Sequence, residues 1–473
     1  MTAAVEIPYW VLVLVLAFAA IAALDRVLVP SVRWFFRRRM ERAVAELNKR
    51  LERPIQPFKL MRRQDMIVRL IYDPKVMEAV VAHAHEEGVP ESVAFQQARA
   101  YAREIVPGFS TATYFGFATR AARWLSRSLY HVRLGQYDEA AIRSIDRKAA
   151  VVFVMNHRSN MDYVLVTWLA AERSALSYAV GEWARVWPLQ TLIRAMGAYF
   201  IRRRYSSPLY RRVLERYVQM AVHEGVTQAM FPEGGLSLDG RVGRPRRGLL
   251  QYILGGFDTD DGRDVVFIPV ALNYDRVLED RLLITAARTR ARRFPVRMRD
   301  AFAYAGKHLW QRITRRFRRF GYAAVSFGVP VSLEATLRGE PDMSAERLAE
   351  RLMARVRDAV PVLPVPLVAA VLQEAGGRIE RAALQARAEA LVAQFAGQGS
   401  HVHLPEGQTE RAVQAGLEAL AIRRVIAEAG GEVWVMPEHA DVVAFYANSI
   451  SHLIAEDAAA PLIGADAASP RET

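Results

Sequence analysis

Residues 150–162 read AVVFVMNHRSNMD, and this stretch decides the fold of what surrounds it. The run AVVFVM is short, apolar and rich in valine, the pattern of a buried strand. A polar turn follows, and residues 161–172 then read as a helix. The same alternation continues outward. Strand-like runs fall at 176–180, 227–231, 265–272 and 323–327, with helical stretches at 182–196 and 209–224 between them. Strands alternating with helices predict an α/β domain with a largely parallel sheet. In such a sheet, chemistry gathers where strands end and helices begin.

The turn itself holds His157 and Asp162. Five positions apart, they would diverge on one ideal helix, but they meet if His157 lies in the turn and Asp162 in the first helical turn. The carboxylate then accepts from one ring nitrogen and leaves the other free to take a proton from an alcohol. The same residues also read as a plain helix start, with Ser159 as N-cap and Asp162 as its partner. Both readings can hold at once, and a His-x4-Asp spacing alone does not choose between them.

Further out, three stretches carry polar residues at strand ends. Residues 196–205 read MGAYFIRRRY, placing Arg202 and Arg203 after an apolar strand-like run. Residues 231–241 read FPEGGLSLDGR, in which Glu233 precedes Gly234 and Gly235, whose free backbone N–H groups could cradle a phosphate. Residues 265–277 read VVFIPVALNYDRV, a strand ending in a polar turn. Taken singly, the arginine pair could be a solvated face and the glycines an ordinary turn.

Composition narrows the classes. With 52% hydrophobic and 24% charged residues the chain suits folded cores, and 473 residues allow two or three domains. It has no cysteine, which excludes thiol nucleophiles, disulfides and thiolate metal sites. No metal ligands stand at credible spacing and no dinucleotide fingerprint is present, so no cofactor is implied. The net charge of +14 predicts an anionic partner: nucleic acid, a membrane surface or an acidic protein.

The amino terminus favours the membrane. Residues 7–24 (IPYWVLVLVLAFAAIAAL) are uncharged over 18 positions, just enough to span a bilayer core of roughly 30 Å. Tyr9 and Trp10 stand where interfacial aromatics are expected, and basic residues crowd 26–50. A single-pass anchor with the bulk of the chain on the cytoplasmic side is the expectation, against a buried core helix or a hairpin. Residues 288–320 hold twelve Lys or Arg and one acid, with Trp310, Ile313, Phe317 and Phe320 on one helical face. That pattern fits an interfacial helix facing membrane lipids or an acidic carrier protein rather than nucleic acid.

The expected divisions are an anchor and basic juxtamembrane helix (1–50), a helical region (51–145), an α/β domain (146–341), a helical region (342–456) and a disordered tail (457–473).

In this order, HRSNMDY (157–163), GAYFIRR (197–203), FPEGG (231–235) and IPVALNYDRV (268–277) resemble the blocks of the glycerolipid acyltransferase family. Within that family the chain is similar to the glycerol-3-phosphate and dihydroxyacetone phosphate acyltransferase branch. YAREI (101–105), FGVPVS (327–332) and FYANSISHL (445–453) extend the likeness over most of the chain. The resemblance implies a glycerolipid acyltransferase-like fold: a mixed, largely parallel sheet flanked by helices. It implies transfer of a fatty acyl group from acyl-CoA or acyl-carrier protein to the sn-1 hydroxyl of glycerol-3-phosphate, in phospholipid biosynthesis. His157 would be the general base and Asp162 its orienting partner. Arg202 and Arg203 would hold the acceptor phosphate, Glu233, Gly234 and Gly235 would shape the pocket, and Arg158 and Arg241 would assist binding. Ser159 is a rival as an acyl-enzyme nucleophile, and Tyr274 to Arg276 would stand behind the dyad. One position departs from the family: Leu236 stands where an arginine usually follows the glycine pair. Arg241, Arg244, Arg246 or Arg247 could reach the same place; otherwise the departure leaves open another lipid or polyol as acceptor, and lysophosphatidate is a separate rival within the same fold.

Overall fold

A computed structural model describes residues 8–135, 137–170, 174–181, 189–202, 207–258, 262–289, 319–399, 402 and 409–454, with side chains at 20–37, 40 and 41 left aside. Strand β2 (Ala150–Met155) is the predicted AVVFVM run, and all six of its residues are buried. It lies near the middle of an eight-stranded sheet in the order β1-β7-β6-β2-β5-β3-β4, with β8 also on β6. The partners are β1 (His131–Leu134), β3 (Ser177–Gly181), β4 (Tyr199–Ile201), β5 (Gln228–Met230), β6 (Val265–Tyr274), β7 (Tyr322–Phe327) and β8 (Val331–Ser332).

Strands β6, β2, β5, β3 and β4 run parallel. β7 and β8 are antiparallel to β6, and β1 is parallel to β7. The sheet is therefore mixed and mostly parallel, as its alternating pattern predicts. β6 is buried at all ten positions, which explains why it carries no polar alternation.

Helix Met161–Ala170 follows β2 and buries Leu165 and Val166, each such side chain contributing about 1.5–3 kcal/mol. Helix Pro208–His223 packs against helices Pro74–Glu87 and Glu91–Ile105, and Arg216 ties it to Asp73 at 2.7 Å. Helix Ala345–Asp358 lies against β6 and β2.

Two regions expected to be helical differ. Residues 113–134 form a π-helical turn (Ala112–Ala118), helix Thr119–Leu129 and then strand β1. Past residue 342, helix Pro364–Glu374 is followed by β9 (Arg378–Glu380), helices Arg381–Gly397 and Thr409–Ile422, and a hairpin of β10 (Ile426–Ala429) and β11 (Glu432–Val435). The hairpin turns on Gly430 and Gly431, both at positive φ. β11 also pairs with β9, giving a small antiparallel sheet in the order β10-β11-β9. Helices joined through a three-stranded ribbon in this way form a winged-helix arrangement. Its strands are three or four residues long, too short for periodicity to reveal.

The described residues divide into two compact units, one made of residues 8–55 with 174 and the other of the rest. The first unit contains helix Tyr9–Arg50. Among the described residues no helix is long and apolar enough to cross a membrane, so the predicted transmembrane helix over 7–24 gains no support from the fold. That prediction falls partly outside the described residues. The interfacial helix expected within 288–320 and the tail at 457–473 lie there largely or wholly.

Candidate active site

At the end of β2 the Asn156 amide both donates to the Leu272 carbonyl (2.9 Å) and accepts from its N–H (2.8 Å). This pins the turn to β6. His157 follows, 2% exposed, and its Nδ1 lies 2.9 Å from Asp162 Oδ2. The same oxygen accepts from the backbone N–H groups of Arg158 (2.7 Å) and Ser159 (3.0 Å). Asp162 Oδ1 accepts from the Tyr274 hydroxyl at 2.5 Å. One carboxylate is thus both the helix-start acceptor and the partner of the histidine, so the two readings of the motif coincide.

With Nδ1–H donating to Asp162, Nε2 carries the free lone pair. Among the described residues Nε2 has no hydrogen-bond partner. The ring stacks on Phe231 at 4.0 Å and 24°, with Tyr163 edge-on at 5.4 Å. Burial and the neighbouring Asp162 hold the Tyr274 hydroxyl well above its usual pKa, keeping it a donor.

Glu233 does not face outward as a binding group. Its Oε1 accepts from the His157 N–H (2.8 Å) and its Oε2 from the Gly243 N–H (2.9 Å). Ser237 N–H closes the link by donating to the His157 carbonyl (2.9 Å). Burial pushes the Glu233 carboxyl up to about 7, against the pull of those two N–H groups and Arg158. Gly234 has φ +72° and lies under the Arg246 side chain. Gly235 is half-buried beside it, and Arg241 is exposed on the same loop.

The remaining arginines divide. Arg158 is 2% exposed, lies over the Phe445 ring at 5.3 Å and donates Nη1 to the Gly240 carbonyl. Its Nε and Nη2 are buried and, among the described residues, have no hydrogen-bond partner. Arg202 follows β4, the edge strand three places from β2, and its guanidinium is committed to Glu104 at 2.7 and 2.9 Å. It lies over the edge-to-face pair of Tyr101 (5.1 Å) and Tyr210 (5.4 Å). Arg203 falls outside the described residues. The structure therefore gathers His157, Asp162, Arg158, Glu233 and Gly234, and sets Arg202 at the far edge.

Ser159 Oγ donates to Glu279 (2.7 Å) and accepts from the Met161 N–H (3.1 Å), so both of its roles are structural. Glu279 also receives the Asn160 side chain at 3.0 Å. The sequence offered no signal for Glu279 or for the Phe231 stack. Nor did it show that Phe445 and Tyr446 complete the site: Tyr446 accepts from the Val277 N–H (3.0 Å) and donates to Asp280 (2.6 Å), where Arg423 also binds.

The family model described as Acyltransferase matches residues 138–273, and the one described as Glycerol-3-phosphate acyltransferase C-terminal region matches 309–465. Neither model spans half of the chain, and both make it similar to the glycerol-3-phosphate acyltransferase branch of the glycerolipid acyltransferases. It is 27% identical over 424 residues to a protein named glycerol-3-phosphate acyltransferase from Ectopseudomonas mendocina, covering 83% of this chain and 49% of that protein. A relative of the same name from Pseudomonas syringae pv. tomato gives the same identity and shares over 425 residues. The chain thus spans about half the length of the curated relatives it matches. A solved 1-acyl-sn-glycerophosphate acyltransferase from Thermotoga maritima is 18% identical, with a TM-score of 0.29 over 62% of this chain and 98% of that one. The contacts described above join stretches that the sequence likeness had singled out. YAREI meets GAYFIRR through Glu104 and Arg202, and FYANSISHL meets the histidine turn through Phe445.

Proposed function

We propose that the chain transfers a fatty acyl group from an acyl thioester, acyl-CoA or acyl-carrier protein, to the sn-1 hydroxyl of glycerol-3-phosphate. The observation that carries this reading is the buried His157, its Nδ1 held by Asp162 and its Nε2 left for a substrate. Nε2 takes the hydroxyl proton as the oxygen attacks the thioester carbonyl. The C–S bond then breaks, and the departing thiolate takes the proton back from the imidazolium. Asp162 steadies the charged ring, and Tyr274 and two backbone N–H groups steady Asp162. Attack by the acceptor itself needs no acyl-enzyme, and the engagement of Ser159 with Glu279 favours that route.

Replacing His157 by Ala is expected to lower kcat by roughly 10²–10⁴-fold while the fold is kept, read by transfer from an acyl thioester to glycerol-3-phosphate. Unchanged turnover would defeat the assignment. A second reading, lysophosphatidate as acceptor, is favoured by Leu238, an exposed apolar side chain on the loop after the glycine pair. Rapid product from lysophosphatidate alone would select it.

The reading includes a membrane location, with residues 7–24 as a single-pass anchor and the catalytic unit on the cytoplasmic side. Its support is the exposed apolar surface of helix Tyr9–Arg50, where Tyr9, Trp10, Leu12 to Leu16 and Phe18 face outward and Val11 is half-buried.

A further inference from the structure

We propose that Arg246 is the residue that grips the anionic group of the acceptor, replacing the arginine that Leu236 displaces. The inference rests on the proposed transfer reaction and deepens it.

Three of the other candidate cations are already engaged or enclosed, while Arg241 and Arg244 are exposed on the loop without the contact to the glycine turn that Arg246 makes. Leu236 is half-buried and packs against the core, so the position after Gly235 contributes packing and no charge. Arg202 is paired with Glu104, and Arg247 with Glu346 at 2.7 Å. Arg158 is enclosed beneath Phe445.

Arg246 is different. Its backbone N–H donates to the Pro232 carbonyl (2.9 Å), folding residue 246 back onto the FPEGG turn. A Cβ at Gly234 would lie 3.1, 3.3 and 3.6 Å from Arg246 Cδ, Nε and Cζ. The guanidinium therefore rests on the glycine, and Gly234 is required both by its φ of +72° and by this approach. Gly234 N–H in turn bonds the Phe231 carbonyl (3.0 Å), and Phe231 is the ring stacked on His157. One tight turn thus carries the base at one end and a guanidinium at the other.

Arg246 is exposed, and among the described residues its side chain has no carboxylate partner. A guanidinium matches two phosphate oxygens with parallel N–H groups. In glycerol-3-phosphate the sn-1 oxygen and the phosphorus are five single bonds apart, roughly 6 Å when extended. An acceptor bound as proposed would reach from His157 Nε2 to its anionic group over the turn.

Steady-state kinetics on the full chain tests the assignment. Arg246→Ala is expected to raise KM for glycerol-3-phosphate by roughly 10- to 100-fold, with the KM for the acyl thioester unchanged. Arg246→Lys should recover part of the loss, and Arg241→Ala and Arg244→Ala, on the same loop, should cost less. If uncharged glycerol is accepted at all, its transfer rate should respond to Arg246→Ala far less than that of glycerol-3-phosphate. An unchanged acceptor KM, or a larger effect at Arg241 or Arg244, would overturn the proposal. Direct titration of wild type and Arg246→Ala with glycerol-3-phosphate separates the two claims. Equal affinity defeats the Arg246 site, whereas weakened binding without any transfer in the wild type defeats the reaction instead.

Discussion

Glu233 accepts two backbone N–H bonds that favour its anion, yet burial outweighs them and raises its carboxyl from 4.5 to about 7. Asp275 repeats the pattern, accepting from Val365 and Tyr322 N–H groups while burial lifts it from 3.8 to about 7. The consequence has a definite sign. The unfolded chain releases these protons near its ordinary carboxyl values, and the folded chain keeps them until about 7. Between those limits the native state binds more protons, so stability is fullest at the acid end and declines as pH rises through 7. Denaturation midpoints should therefore fall between pH 5 and 7.5. Glu233→Gln should be less stable throughout, because one of two N–H groups loses its acceptor, but its decline with pH should be shallower. An equal slope in the variant would contradict the assignment.

Between elements, the decisive contact is the loop of residues 237–243 against helix Ala440–Ala447. Gly240 has φ +88°, and a Cβ there would stand 1.8 Å from the Phe445 carbonyl oxygen. Neither a left-handed side chain nor that approach can be accommodated by small shifts. Gly240→Ala should cost roughly 2 kcal/mol or more and lower kcat at least about tenfold, seen in parallel denaturation and transfer assays. Normal stability and turnover would show that the helix need not sit there.

This level also marks how far the sequence could be read. β2, the turn after it and the His157–Asp162 pair were legible because each depends on residues within a dozen positions. Five strands of the main sheet announced themselves by apolar runs. Tyr274 reaching Asp162, and Phe231 stacking on His157, depend on register between strands far apart in the chain. Glu279 was one acid among 50 until the fold placed it against Ser159. Arg202 looked free because its partner Glu104 lies 98 residues earlier. The short strands β9 to β11 were hidden by their length.

On the scale of the whole molecule, charge and apolar surface point the same way. A chain of net charge +14 carries exposed Tyr9, Trp10 and Phe18 on one helix. Each Lys or Arg near an anionic surface contributes about 1 kcal/mol, so vesicles containing anionic lipid should carry the full chain upward in flotation. Leu12→Lys with Leu16→Lys should leave it in the aqueous fraction, and continued flotation of that variant would count against the helix as the attachment.

Phe445 and Tyr446 sit over Arg158, Val277 and Asp280, so the turn bearing His157 acquires its last supports from near the other end of the described chain. During synthesis, Arg158 leaves the ribosome about 290 residues ahead of Phe445, roughly 15–60 s at ~5–20 residues per second. For that interval a nascent chain holds its base without its roof. The fold therefore sets an order of events in time: the histidine turn emerges well before the residues that roof it.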